Sequence, residues 1–155
     1  YNKRRNRRGA FWEDRYFATA VSTDHHLVRC LVYIDLNMVR ARVVTHPSEW
    51  QWCGYEELVG VRQRYRLVDL KSVLRWQDGV SLEEFTQEYR CAIEDSIRRR
   101  DLERQGVWTE SISVGSEEFV GRISERVRNR IRLERKAISE GVWAVREGPV
   151  PYEAD

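Results

Sequence analysis

Residues 29–42 read RCLVYIDLNMVRAR, a mostly apolar stretch that carries a short series of polar side chains. With about 100° per residue on a helix, His26, Arg29, Asn37 and Arg40 all project within about 40° of Tyr33. Leucine, isoleucine and valine occupy most of the remaining circumference. The pattern predicts a helix that is buried on most sides and presents one narrow polar stripe.

This tyrosine helix is expected to run from residue 24 to residue 43. The Ser-Thr-Asp sequence at 22–24 supplies an N-cap and an acidic first turn, and the His-Pro pair at 46–47 excludes further helix. Asp35 falls inside the apolar arc, so we expect it to meet a cation or to lie at an edge of the packed face.

The polar stripe holds side chains that are capable of chemistry. A phenol such as Tyr33 can act as a nucleophile, but it is mostly protonated at neutral pH and needs a base, a cation or a metal nearby. Asn37 could form hydrogen bonds or offer an oxygen to a hard cation, and Arg29 and Arg40 could bind phosphates. On pattern alone, an ordinary interface or hydrogen-bonded surface is the simpler interpretation.

The composition limits the class of protein. With 155 residues, of which 41% are hydrophobic and 34% charged, the chain suits one folded domain, or one domain with a small appendage. No apolar run approaches the roughly twenty residues that span a bilayer, so we expect no membrane partner. Cys30, Cys53 and Cys91 are far apart and odd in number, which predicts reduced thiols in a cytoplasmic protein. The chain begins with Tyr1 and its one methionine is Met38, so we expect a piece of a longer protein.

Positive charge is concentrated near the tyrosine helix. Residues 1–46 carry nine Lys/Arg against four Asp/Glu, residues 47–110 carry ten against thirteen, and residues 111–155 carry eight of each. A basic patch of this kind is the footprint expected for nucleic acid, although a solvated terminus is the simpler alternative. The candidate DNA-binding residues are Lys3, Arg4, Arg5, Arg7, Arg8, Arg15, Arg29 and Arg40.

Outside the tyrosine helix, the pattern predicts one strand and three further helices. Residues 10–21 are rich in aromatic and β-branched side chains, which predicts the strand. Asp69 begins a short amphipathic helix, Ser81 begins a long helix that reaches about residue 105, and the Gly-Ser-Glu-Glu sequence at 115–118 begins another. Residues 141–155 are expected to form an extended tail. Four tryptophans are assigned to the core: Trp50, Trp52, Trp76 and Trp108.

Three blocks of sequence resemble one protein family. They are GAFWEDRYFATAV at 9–21, HLVRCLVYIDLNMVRA at 26–41 and HPSEWQWCGY at 46–55. In order and spacing they are similar to the C-terminal half of single-tyrosine transposases of the HUH type, in particular the REP-associated tyrosine transposases. The resemblance covers about residues 5–60, and its most specific part is Tyr-Ile-x-x-Asn-x-Val-Arg-Ala followed by Pro-x-x-Trp-x-Trp.

The resemblance implies an α+β fold. Residues 1–60 would supply the last strand or strands and the tyrosine-bearing helix of a ferredoxin-like HUH domain, and a mainly α-helical extension would follow over residues 61–140. The resemblance also implies that Tyr33 cleaves and rejoins single-stranded or hairpin DNA through a 5′-phosphotyrosine intermediate. A divalent metal, Mg²⁺ or Mn²⁺, would be held by a His-hydrophobic-His pair, with Asn37 completing the site.

The chain departs from the family pattern at two points. It contains no His-hydrophobic-His sequence, so the metal-binding pair is expected upstream of Tyr1. Of the adjacent pair His25 and His26, we interpret the first as a surface residue and the second as at best a phosphate contact. Met38 stands where the family usually has proline. Two alternatives stay open: a catalytically inactive DNA-binding remnant, and an unrelated helical interaction protein. A homodimer is also compatible with the sequence.

Overall fold

A computed structural model describes residues 17–23, 25–62, 64–77, 80–127 and 132–148. Within these ranges the chain forms a four-stranded mixed sheet and six α-helices. The α+β class predicted from the sequence is therefore confirmed. None of the helices in these ranges is both long and apolar enough to cross a membrane.

The sheet brings together strands that lie far apart in the sequence. Its spatial order is β1-β2-β4-β3. β1 pairs in parallel with β2, while β4 is antiparallel to both of its neighbours. The four strands are β1 (Ala20–Val21), β2 (Ser113–Gly115), β3 (Leu133–Ser139) and β4 (Val142–Glu147).

The helices begin and end largely where local capping signals place them. Asp69 accepts a hydrogen bond from the Ser72 backbone N–H, and Ser81 and Glu84 form a reciprocal capping box. The helices predicted from Asp69 and Ser81 are thereby confirmed, although the second ends at Arg98 rather than near residue 105. The six helices are α1 (His25–Asp35), α2 (Asn37–Arg40), α3 (Tyr55–Leu58), α4 (Leu70–Arg75), α5 (Leu82–Arg98) and α6 (Glu117–Val127).

The tyrosine helix is shorter than predicted and is interrupted. Leu36 forms a turn between α1 and α2: its backbone (φ −77°, ψ 0°) stays in the right-handed region, but ψ lies about 40° from the α-helical value. The helix ends at Arg40 instead of residue 43, because Arg42 adopts a left-handed backbone conformation with φ 58°. The polar stripe nevertheless continues from α1 into α2.

Three strands occupy positions for which the sequence predicted helix or a loose tail. The stretch over residues 61–140 is helical in three places as predicted, but β2 and β3 also lie in it. Residues 142–147 are extended as predicted, but they are paired as β4 between β2 and β3. Of the strand predicted over residues 10–21, only Ala20–Val21 is a strand among residues 17–21, and positions 10–16 lie outside the described residues.

Two hydrophobic clusters form the core. The first joins α2, α3, α4 and α5, through residues that include Val39, Leu58, Val73, Phe85 and Ile93. The second packs the Tyr33 ring of α1 against Trp108 and against residues of β2 and β4. The core prediction for the tryptophans is confirmed for Trp108 and wrong for Trp52, which is 76% exposed, and for Trp76, which is 45% exposed. Trp50 is half-buried.

Candidate functional site

The polar stripe of α1 and α2 forms one connected group around Tyr33. Arg40 lies seven residues after Tyr33, so two helical turns bring its side chain back over the tyrosine. The Arg40 guanidinium carbon lies 3.9 Å from the centre of the Tyr33 ring. This is a cation–π contact, and it places a fixed positive charge beside the phenol.

Two hydrogen bonds hold the guanidinium in this position. Arg40 Nη2 donates to the backbone carbonyl oxygen of Tyr33 and, at 2.6 Å, to Oδ1 of Asn37. Burial lowers the pKa of Arg40, while the nearby Tyr33 and Asp101 oppose that shift. Both hydrogen-bond acceptors belong to the same short stretch of helix, so the arrangement is fixed locally.

A cleft of about 170 Å³ opens beside this group, between α1 and α2, the second half of α5 and residues 101–108. Its polar and aromatic lining residues are Arg29, Tyr33, Arg40, Ser96, Asp101, Gln105 and Trp108. The cleft thus contains two arginines and one acidic residue. We call it the Tyr33 cleft.

Tyr33 itself is largely covered, with 9% of its surface exposed. The Trp108 ring centre lies 6.3 Å from that of Tyr33, and Trp108 Nε1 donates to Gln105 Oε1 at 2.9 Å. No hydrogen bond engages the Tyr33 hydroxyl within the described ranges. Trp108 thus packs against the Tyr33 ring and contributes to its burial.

Asn37 is exposed, and its side-chain oxygen already accepts a hydrogen bond from a cation. Across the part of the chain that the structure describes, no three or more His, Cys, Asp or Glu side chains form a group that could hold a metal ion. The predicted His-hydrophobic-His ligands are expected outside this chain, so the divalent metal stays a prediction.

The other predicted site residues divide into two sets. Arg29 is exposed on α1, at the rim of the Tyr33 cleft. The remaining candidates, Lys3, Arg4, Arg5, Arg7, Arg8 and Arg15, lie outside the described residues.

The two adjacent histidines have different environments. His25 is exposed, as expected for a surface residue. His26 is only 1% exposed, and its ring centre lies 3.9 Å from that of His25. The interpretation of His26 as a phosphate contact is therefore wrong for this conformation, because a buried ring cannot reach a solvated phosphate.

Sequence reasoning missed the far wall of the cleft. Ser96, Asp101, Gln105 and Trp108 lie more than sixty positions beyond Tyr33 in the chain. No local pattern indicates that contact, because it depends on how α5 packs against α1. The assignment of Trp108 to the core pointed to this segment, but not to its contact with Tyr33.

A larger groove, of about 840 Å³, lies elsewhere, where the loop after α3 meets the first half of α5. Its charged lining residues are Glu83, Glu84, Glu88 and Arg90. Because acidic side chains predominate there, the groove would repel a DNA backbone. The Tyr33 cleft is the better candidate for a site that binds an anion.

The fold and site together define an α+β protein with a four-stranded mixed sheet, in which a tyrosine and an arginine share one cleft. Comparison with known proteins adds no family to this description. No protein-family model matches the chain, and neither does any curated protein or solved structure.

Proposed function

We propose that this chain is part of a single-tyrosine transposase of the HUH type, which cleaves and rejoins single-stranded DNA with Tyr33 as its nucleophile. The observation that supports the proposal is the Arg40 guanidinium, 3.9 Å from the centre of the Tyr33 ring. A DNA phosphate drawn to this cation would lie beside the phenol. The same positive charge would stabilise the negative charge that develops at the phosphate during attack.

The proposed reaction exchanges one phosphoester bond for another. The Tyr33 oxygen attacks the phosphorus and loses its proton to solvent, while the bond from phosphorus to the 3′ oxygen breaks. The 3′ oxygen takes up a proton and leaves as a hydroxyl, and the 5′ side of the break stays attached to tyrosine. Attack by a 3′-hydroxyl on the phosphotyrosine reverses these steps and rejoins the strand, so no nucleotide cofactor is needed.

A divalent metal, Mg²⁺ or Mn²⁺, stays part of the proposal, because it would polarise the phosphate when bound. Its proposed ligands are the His-hydrophobic-His pair expected outside this chain. A cytoplasmic location and a homodimer also remain proposals. We also propose that the sheet is ferredoxin-like. This proposal is supported by the resemblance of residues 5–60 and by the mixed sheet that β1 joins.

The reaction requires that DNA reach a largely covered phenol. Trp108 lies against the Tyr33 ring, so this side chain has to move when a strand enters the cleft. An indole displaced in this way could stack on an unpaired base, which is a common contact for single-stranded DNA.

A covalent-adduct assay tests the proposal. The uninterrupted natural reading frame is incubated with hairpin DNA from its own flanking region and Mg²⁺ or Mn²⁺. The DNA is labelled at its 3′ end, because a 5′-phosphotyrosine retains the downstream strand.

We expect a labelled protein band with the parent and none with Tyr33→Phe. Tyr65→Phe should behave like the parent, since Tyr65 is 92% exposed and lies outside the cleft. An adduct that persists in Tyr33→Phe, or no adduct at all, would overturn the proposal.

The second candidate function is an inactive DNA-binding remnant. It is favoured by the burial of Tyr33, which limits the access of DNA to the phenol. It predicts no adduct, but it does predict hairpin binding that weakens as salt rises, because phosphate contacts release counterions. An unrelated interaction protein would show neither the adduct nor salt-dependent binding.

A further inference from the structure

The contacts of Asn37 differ from those of a metal ligand. Its Oδ1 accepts a 2.6 Å hydrogen bond from Arg40 Nη2, and the same nitrogen also donates to the Tyr33 carbonyl oxygen. One amino group of the guanidinium is thereby held at two points. A planar guanidinium fixed at two points has a defined orientation, which here is over the Tyr33 ring.

Within the described residues, three donors of the Arg40 guanidinium are left for a ligand. A guanidinium has five N–H donors, and both hydrogen bonds of Arg40 use Nη2. The three donors on Nε and Nη1 have no hydrogen-bond partner among the described residues. A phosphate oxygen that accepts from one of these donors would form a charge-assisted hydrogen bond. Asp101 is the acidic residue that faces Arg40 in the cleft.

We propose that Asn37 is a positioning residue that acts through Arg40 and is not a metal ligand. It holds the guanidinium so that the free donors receive a DNA phosphate beside the Tyr33 hydroxyl. A divalent cation on the same amide oxygen would lie next to the guanidinium and be repelled by it. The inference rests on the proposed function, because it assigns the substrate contact of the same site.

The first test is a double-mutant cycle on DNA binding without metal. The natural reading frame and its Asn37→Ala, Arg40→Gln and doubly substituted variants are titrated with labelled hairpin DNA in the presence of a chelator. We expect Arg40→Gln to raise the dissociation constant about tenfold or more, as for a lost charge-assisted hydrogen bond. Asn37→Ala should raise it less, and should have no further effect when Arg40 is already replaced.

The second test measures the metal requirement of adduct formation. If Asn37 acts through Arg40, Asn37→Ala lowers the rate but leaves the half-saturating concentration of Mg²⁺ or Mn²⁺ unchanged. A metal ligand would instead raise that concentration about tenfold or more when removed. Such a rise would overturn the inference. So would an Asn37→Ala effect on DNA affinity that persists in the Arg40→Gln background.

The outcomes separate the inference from the function on which it rests. If the parent neither binds hairpin DNA nor forms a Tyr33-dependent adduct, the proposed function fails and the inference fails with it. If the parent forms the adduct while the Asn37 variants behave as metal-ligand variants, the inference alone fails. Asn37 is exposed, so these variants should fold, and thermal melting of each one checks this.

Discussion

Asp35 shows how a single residue constrains the tyrosine helix. The sequence predicted that this carboxyl would meet a cation or lie at an edge, and both expectations are wrong. The side chain is 3% exposed, and it accepts hydrogen bonds from the Gly54 backbone N–H at 2.9 Å and from the Tyr89 hydroxyl at 2.8 Å. These bonds attach α1 to the start of α3 and to the middle of α5. They fix the position from which Tyr33 and Arg40 project.

The burial of Asp35 leads to a prediction about pH. Burial raises the pKa of its carboxyl above the usual 3.8, although the bonds from Tyr89 and Gly54 oppose the shift. A raised folded-state pKa means that the folded protein binds this proton more tightly than the unfolded chain. The resulting stabilisation is complete below the unfolded pKa and is lost as the pH rises through the folded one. Asp35→Asn lacks this titration, so its unfolding free energy should improve relative to the parent between about pH 4 and pH 7.

Urea unfolding of the parent and of Asp35→Asn between about pH 4 and pH 7 measures the difference between their unfolding free energies. Asp69→Asn is the matched control, because hydrogen bonds from Ser72 lower the pKa of the exposed Asp69 carboxyl. The stability of Asp69→Asn relative to the parent should change little between about pH 4 and pH 7, and should rise only as the pH falls below about 4. A difference between Asp35→Asn and the parent that does not vary with pH would contradict the interpretation of Asp35.

At the scale of elements, α5 carries most of the packing between α1 and the other helices. Phe85, Tyr89 and Ile93 form its buried face, and Ser81 caps its first turn. The Ser81 side chain accepts from the Glu84 N–H at 3.2 Å, while the Glu84 carboxylate accepts from the Ser81 N–H at 2.9 Å. We expect Ser81→Ala to reduce the unfolding free energy by about 1 kcal/mol, because the Glu84 backbone N–H loses its acceptor.

The matched control for this prediction lies on the same helix. The Ser96 hydroxyl donates to the Ala92 carbonyl oxygen within the helix and caps nothing. Ser96→Ala should therefore be neutral or slightly stabilising, since alanine favours helix. Chemical denaturation of both variants measures the change in unfolding free energy that each substitution causes. Equal losses for the two substitutions would show that the capping box contributes nothing specific.

The elements show which parts of the fold were predictable from the sequence. The starts of α4 and α5 depend on side chains within three residues of the helix end, so local sequence indicates them. The hairpin of β3 and β4 had a usable signal, a Glu-Gly pair at 140–141 in which Gly141 has φ 69°. The pattern over residues 141–155 instead predicted an extended tail. Basic residues before the turn and the exposure of β3 hide the alternation that marks a strand.

The candidate site follows the same division between local and distant contacts. Helical spacing predicted that Arg40 would lie near Tyr33, and the structure places its guanidinium over the ring. The contact with Trp108 could not be derived, because 75 positions separate it from Tyr33. It requires β1, next to α1 in the chain, to pair with β2, which follows Trp108. The far wall of the cleft is therefore a property of the whole fold.

At the scale of the whole molecule, the parallel pair of β1 and β2 joins the tyrosine helix to the sheet. The backbone N–H of Ser22 donates to the Val114 carbonyl oxygen at 2.9 Å, and the Thr19 hydroxyl donates to the Ser111 carbonyl oxygen at 2.6 Å. Gly115 ends β2 where Ser22 and α6 both approach the backbone. This junction is narrow, because β1 contributes only two residues to the sheet.

The close approach at Gly115 yields a prediction with an internal control. A Cβ at this position would lie 2.5 Å from the Ser22 Cβ and 2.9 Å from a Phe119 ring carbon, so one of the packed segments must shift. We expect Gly115→Ala to lower the unfolding free energy by about 1–3 kcal/mol, as overpacking does in cores. Gly121 lies within α6, and a Cβ there would meet nothing nearer than an Arg135 nitrogen at 3.9 Å. Gly121→Ala should therefore stabilise the protein by about 0.5–1 kcal/mol. Denaturant unfolding of both variants measures these changes in unfolding free energy. If Gly115→Ala left the unfolding free energy unchanged, β1 and α6 would not meet at β2 as described.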